Sequence, residues 1–139
     1  MRDRSRYLIW MLRLIGMIDL VAIFAVLAPR TWLASINDES GLGEFPVAPI
    51  AGYLARSTSF WYVSYGLLLW FVSYDVGKYR ALIACLAAML IAQGAIMIGI
   101  DLAEGMPIWW TVTEGPCCAG FGIVLLALQR GQSNGERTF

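Results

Sequence analysis

Residues 113–120 read T-E-G-P-C-C-A-G: a carboxylate, a helix-weakening pair and two adjacent thiols inside an otherwise apolar run. Three chemistries are open to such a set: acid–base work by Glu114, soft-metal ligation by the thiols, or thiol redox exchange. Adjacent residues on a helix point about 100° apart, so only one of Cys117 and Cys118 shares a face with Glu114. The C-x-x-C spacing of a redox pair is missing. A soft-metal site would have to recruit Met97 or Met106 beside these thiols. The simpler reading is that Cys85, Cys117 and Cys118, all in apolar runs, are small packing residues. No metal-ligating and no catalytic residue is assigned, and the residues name no cofactor. The chain has no histidine, which removes the usual proton shuttle and the commonest metal ligand.

The remaining polar residues in apolar surroundings are Arg13, Asp19, Gln93 and Asp101. An ionisable group near a bilayer centre costs about 2.5–3.5 kcal/mol on insertion scales, so such residues are functional candidates by default. Arg13 lies about one turn inside its span and has the reach to snorkel back to water. Asp19 is too deep and too short for that. Gln93 is equally deep, and Ser64 and Tyr65 fall near the middle of a neighbouring run. Gln93, Met97 and Asp101 follow i, i+4, i+8 spacing, which sets them along one stripe of a helix. Arg56 is the natural cation for Asp101, and Arg30 a further partner for Glu114. The candidate ligand-binding set is therefore Asp19, Arg56, Ser64, Tyr65, Gln93, Met97, Asp101 and Glu114. The bland alternative is interhelical hydrogen bonding, worth about 0.6–2 kcal/mol per contact in lipid.

These residues need elements to hold them, and the composition says what kind. Of 139 residues, 59% are hydrophobic and 14% charged, with a mean hydropathy of +0.66 and zero net charge. Soluble domains carry about 25% charged residues, so lipid is the expected solvent. Nothing in the charge balance points to nucleic acid. Four runs approach the roughly 20 apolar residues of a membrane-spanning helix: 8–29, 57–74, 81–102 and 108–129. The second is short, but Pro49 suits a helix's first turn, and Ile50, Tyr53 and Leu54 extend an apolar stripe back to it. Arg13 and Asp19 interrupt the first run, so it reads as an uncleaved helix, not a signal peptide.

The expected fold is an all-α, up-down, four-helix transmembrane bundle in a single domain, residues 1–139, with an outer loop at 30–56. Arg2, Arg4, Arg6, Lys78, Arg80, Arg130 and Arg137 fall on one side of it; only Arg30 and Arg56 fall on the other, among Asp38, Glu39, Glu44 and Glu104. By the positive-inside rule both termini are cytoplasmic and the location is a cell inner membrane. Trp32, Phe45, Trp61, Trp109 and Trp110 near the outer edge, with Trp10 and Trp70 near the inner, form an aromatic belt. In size and span count the chain resembles the DoxX-like four-helix membrane proteins. It departs from the thiol-oxidising quinone reductases of the vitamin K epoxide reductase type, because it has no C-x-x-C.

The leading expectation is a small polytopic membrane protein holding a small or lipophilic ligand in a polar cavity open to the outer side. Its rivals are an accessory subunit, gripping a membrane-protein partner or a second copy of itself, and a membrane enzyme using Glu114 and Asp19 as acid and base.

Overall fold

The computed structural model describes residues 2–136; Arg137, counted above for orientation, lies outside them. Every described element is helical: α1 (Arg2–Leu20), α2 (Ile23–Leu27), α3 (Arg30–Glu39), α4 (Pro49–Ser73), α5 (Arg80–Glu104) and α6 (Ile108–Glu136). Three stretches are long and apolar enough to cross a membrane: Arg4–Leu27, Arg80–Glu104 and Ile108–Arg130. A 24-residue helix reaches about 36 Å at 1.5 Å per residue, enough for a hydrocarbon core of roughly 30 Å. α4 begins at Pro49, as the proline allows, and its 25 residues give it the length. It lacks the apolarity: Arg56, Ser57, Thr58, Ser59 and Ser64 interleave with its tyrosines and tryptophans. Three helical stretches thus combine the length and the apolarity of a membrane span, and α4 has the length alone.

The surface is that of a protein immersed in lipid. Leu14, Met17, Ile18, Val21, Phe24 and Leu27 all face outward along one span. Oily side chains so arranged would be destabilising in water and are the normal coat of a helix in a bilayer.

The chain forms two compact units. Ile15–Leu69 makes one; the other comprises the chain up to Leu14 and from Trp70 onward. In the second, Leu8, Leu12, Val72, Ile83 and Leu125 are completely enclosed. α5 and α6 run antiparallel because only three residues join them. Gly105 takes a left-handed φ of 68° and gives its N–H to the Asp101 carbonyl, which also accepts the N–H of Met106 at 2.9 Å. This is the αL ending that glycine makes without steric cost. Pro107 follows, in the place where a missing N–H does no harm, and its carbonyl accepts from Trp110 at 2.9 Å to start α6.

Along that pair the backbones meet at small residues. A Cβ at Gly94 would sit 2.7 Å from the Ala119 nitrogen, and one at Gly115 would sit 2.8 Å from the Gly94 carbonyl oxygen. One at Gly122 would come within 2.5 Å of the Ala87 oxygen. Gly115, Ala119 and Gly122 thus form the contact stripe, the small-residue packing that substitutes for hydrophobic driving force in lipid. Gly120, also in this glycine-rich stretch, faces open space. Pro116 does not interrupt α6, which stays helical across it.

Candidate functional site

The eight candidate residues divide evenly between the units: Asp19, Arg56, Ser64 and Tyr65 in Ile15–Leu69, and Gln93, Met97, Asp101 and Glu114 in the other.

In the Ile15–Leu69 unit, Asp19 is the penultimate residue of α1 and is half-buried, with its Oδ2 enclosed and without a hydrogen-bond partner. The helix changes pitch immediately after it. The Val21 N–H is shared between the carbonyls of Met17 and Ile18, both at 3.2 Å, and Ala22, Phe24 and Ala25 each bond three residues back. Such 3₁₀ tightening inside a span marks a point of strain or a hinge. Neither glycine nor proline lies between Met17 and Leu27, so the local cause is Asp19, a residue type that favours caps and turns over helix interiors. α4 closes on this point through Gly66. A Cβ there would lie 2.7 Å from the Gly16 carbonyl oxygen and 3.0 Å from the Asp19 Cβ.

Two other members of that unit, Ser64 and Arg56, donate to backbone carbonyls. Ser64 Oγ donates to the Phe60 carbonyl of its own helix at 2.9 Å. Tyr65, beside Gly66, is half-buried. Arg56 Nη2 donates to the Ala28 carbonyl at 3.0 Å. Arg30 Nη2 donates to the carbonyls of Pro46 and Ala48, and its guanidinium lies 5.6 Å from the centre of the Phe45 ring. Both arginines therefore organise the 30–56 segment, which comprises α3, a turn and the first two turns of α4. Asn37 closes the turn by donating to Gly43 O at 2.6 Å, with Gly41 and Gly43 at positive φ.

In the other unit, Gln93 and Met97 are half-buried and Asp101, at the end of the same stripe, is 3% exposed. Asp101 Oδ2 has no hydrogen-bond partner. One turn beyond Gly115 on the contact face of α6 stands Thr111, whose Oγ1 is also enclosed and unpartnered. The α5–α6 register that sets Gly115 against Gly94 and Ile98 brings Thr111 to the level of Asp101. Glu114 is within electrostatic range of Asp101 and accepts a hydrogen bond from the Trp110 indole N–H at 2.5 Å. Two carboxyl groups and a hydroxyl, two of them with buried unpartnered oxygens, thus gather beside the α5–α6 turn.

Trp110 and Thr111 were not among the candidates. Trp110 reads as an interfacial aromatic, yet its i, i+4 spacing to Glu114 is a visible signal. Thr111 carries no signal until the helix register is known. Among the described residues no cluster of three metal-ligating side chains occurs. Cys85 and Cys117 face outward, away from the contact stripe. Comparison with protein-family models, with curated proteins and with solved structures finds no match to this chain.

Proposed function

We propose that this chain is a four-span inner-membrane protein with cytoplasmic termini that binds a small, lipophilic ligand at polar side chains recessed near its outer edge, where α5 turns into α6. One observation carries the reading: the buried Oδ2 of Asp101 has no partner, with Thr111 Oγ1 in the same condition beside it. Buried polar groups in folded proteins are almost always satisfied, because leaving one unpaired costs roughly 1–3 kcal/mol. A site that bears this penalty twice is a site that something else completes. The orphan atoms are a carboxyl and a hydroxyl oxygen, so the ligand that completes them presents a hydrogen-bond donor, an amine or a hydroxyl, on an apolar body. Gln93 and Met97 continue the same stripe inward and would lie under that body. Asp19, with its own unpartnered oxygen, is the second candidate position.

The accessory-subunit reading draws on α4, which carries more polar residues than the three candidate spans and turns Tyr53, Phe60, Trp61 and Phe71 outward. Mass spectrometry of the full chain, released intact from a mild neutral detergent, separates the two. A retained small molecule lost on Asp101→Leu supports the ligand site. A co-purifying polypeptide, with no small molecule, supports the subunit.

A further inference from the structure

At the opposite end of the α5–α6 unit lies a second group of polar atoms with complementary chemistry. Arg13 of α1 donates from Nε to Ser73 Oγ at 3.2 Å. Ser73, the last residue of α4 and 1% exposed, is itself fixed by donating to the Trp70 carbonyl at 2.7 Å. The guanidinium then lies 5.5 Å from the Trp70 ring centre and 5.7 Å from that of Tyr74. Two aromatic faces and one hydroxyl thus hold it in a single orientation. Among the described residues no carboxylate pairs with it, and its Nη groups have no acceptor. Asp75, two residues beyond Ser73, turns its Oδ1 to the Lys78 N–H of its own loop at 2.9 Å. The second observation is independent of the first: Trp70 Nε1, an obligatory donor, is enclosed and has no partner.

The arrangement is the converse of the Asp101 group. There the orphans are a carboxyl oxygen and a hydroxyl; here they are donors around an uncompensated positive charge. A neutral acceptor would satisfy the indole and leave the charge, whereas an anion with several oxygens satisfies both. Guanidinium presents a planar fork of donors that matches a phosphate's paired oxygens. The position also fits. Arg13 is seven residues inside Arg6, and Ser73 ends its helix, so the group lies at the level where α4 gives way to its loop. Lys78 and Arg80 follow within that loop and at the start of α5, and Gln129 near the end of α6 donates to the Arg80 carbonyl. Two further basic residues thus follow Ser73 within seven positions, at the membrane boundary where lipid phosphates reside.

We propose that Arg13, Ser73 and Trp70 form a binding site for a phosphate-bearing anion, with the Arg13 Nη groups and the Trp70 indole N–H as its donors. The chemistry is common to an anionic lipid headgroup and to free phosphate. The test uses the full chain in a mild neutral detergent, with bound lipid counted by native mass spectrometry. Phosphatidylglycerol should be retained over phosphatidylcholine of the same chain lengths. Arg13→Gln should weaken that retention about tenfold, and Trp70→Phe, which removes one neutral donor, about threefold to fivefold. Arg13→Lys, which keeps the charge and loses the fork, should fall between. Arg6→Gln should change it less than about twofold, as a mobile rim charge does. If millimolar inorganic phosphate displaces the lipid and protects against heat in an Arg13-dependent way, free phosphate is the ligand. Equal retention of the two lipids, or a preference that survives both Arg13→Gln and Trp70→Phe, overturns the site. Should Arg13→Gln fail to fold, Trp70→Phe decides alone.

Discussion

The Trp110 indole N–H donates to the Glu114 carboxyl one helical turn further along α6, at 2.5 Å. This bond gives an acidic residue in an apolar span a partner on its own helix. It also turns the acid sideways along its own helix, so that Glu114 flanks the buried oxygens of Asp101 and Thr111. The residue that looked most anomalous in the sequence is thus the one most fully provided for within its helix.

Removing that donor should expose its value. Trp110→Phe keeps the ring and deletes the N–H, leaving a half-buried carboxyl unbonded at a cost of about 1–3 kcal/mol. The double variant Trp110→Phe/Glu114→Leu should recover most of the loss, because the two changes are coupled through one bond. Stability in a graded detergent-denaturation series, followed by helical circular dichroism, measures both. Strictly additive losses would mean the bond contributes nothing.

The Gly-Pro pair beside Glu114 has a packing explanation that a neighbouring glycine checks. Gly94→Ala and Gly115→Ala drive a methyl group into the facing backbone or into Ile98, whereas Gly120→Ala enters open space. The first two should each destabilise the α5–α6 pair by about 1–3 kcal/mol, as overpacking does. Gly120→Ala should be neutral or slightly stabilising, since alanine is the better helix former. Equal effects at positions 115 and 120 would remove the contact stripe.

How far this was readable in the sequence depends on what each feature requires. Helix positions followed from runs of apolar residues, and the α4 start from Pro49, because these are local properties. Choosing Gly115 over Gly120 needed the interhelical register, which no single helix encodes. The charge of Arg56 points to a carboxylate, but what its Nη2 satisfies within its own unit is the carbonyl of Ala28, which precedes Pro29 and α3 and has lost its helical partner. The pitch change after Asp19 had no breaker residue to announce it. The fourth span rests on α4, whose serines and tyrosines dilute its apolarity while its 25 residues give it the length.

That pitch change makes a further expectation concrete. Gly66→Ala places a Cβ against the Gly16 carbonyl and the Asp19 Cβ, so α4 must retreat from α1 or the change must spread along α1. Thermal stability should fall by about 1–3 kcal/mol equivalent. Asp19→Leu, which removes an oxygen with no partner, should be stable and more regularly helical than the parent; Asp19→Asn should not gain. If Asp19→Leu unfolds the protein, the Asp19 oxygens have partners after all.

Orientation can be read with a single thiol. With Cys85, Cys117 and Cys118 replaced by serine, Ser40→Cys in the turn after α3 should react with a membrane-impermeant maleimide in intact cells. A cysteine at position 133 should react only after permeabilisation. The reverse pattern inverts the protein and moves the Asp101 group to the cytoplasmic edge.

The Asp101 group gives the sharpest trade between stability and binding. Asp101 is 3% exposed and holds an oxygen with no partner, so Asp101→Leu relieves a penalty of about 1–3 kcal/mol and should raise the melting temperature of the ligand-free protein. The same substitution should abolish retention of the donor-bearing small molecule. Thr111→Val is the milder version: it keeps the shape, removes the second orphan oxygen and should do the same on a smaller scale. Stability gained together with binding lost is the trade expected of a group kept strained for a ligand. A loss of stability in both variants would mean that Asp101 and Thr111 are satisfied inside the protein, and the ligand site would lose its foundation. A gain in stability with unchanged small-molecule retention would leave the orphans real and place the ligand elsewhere, with Asp19 the next position to test.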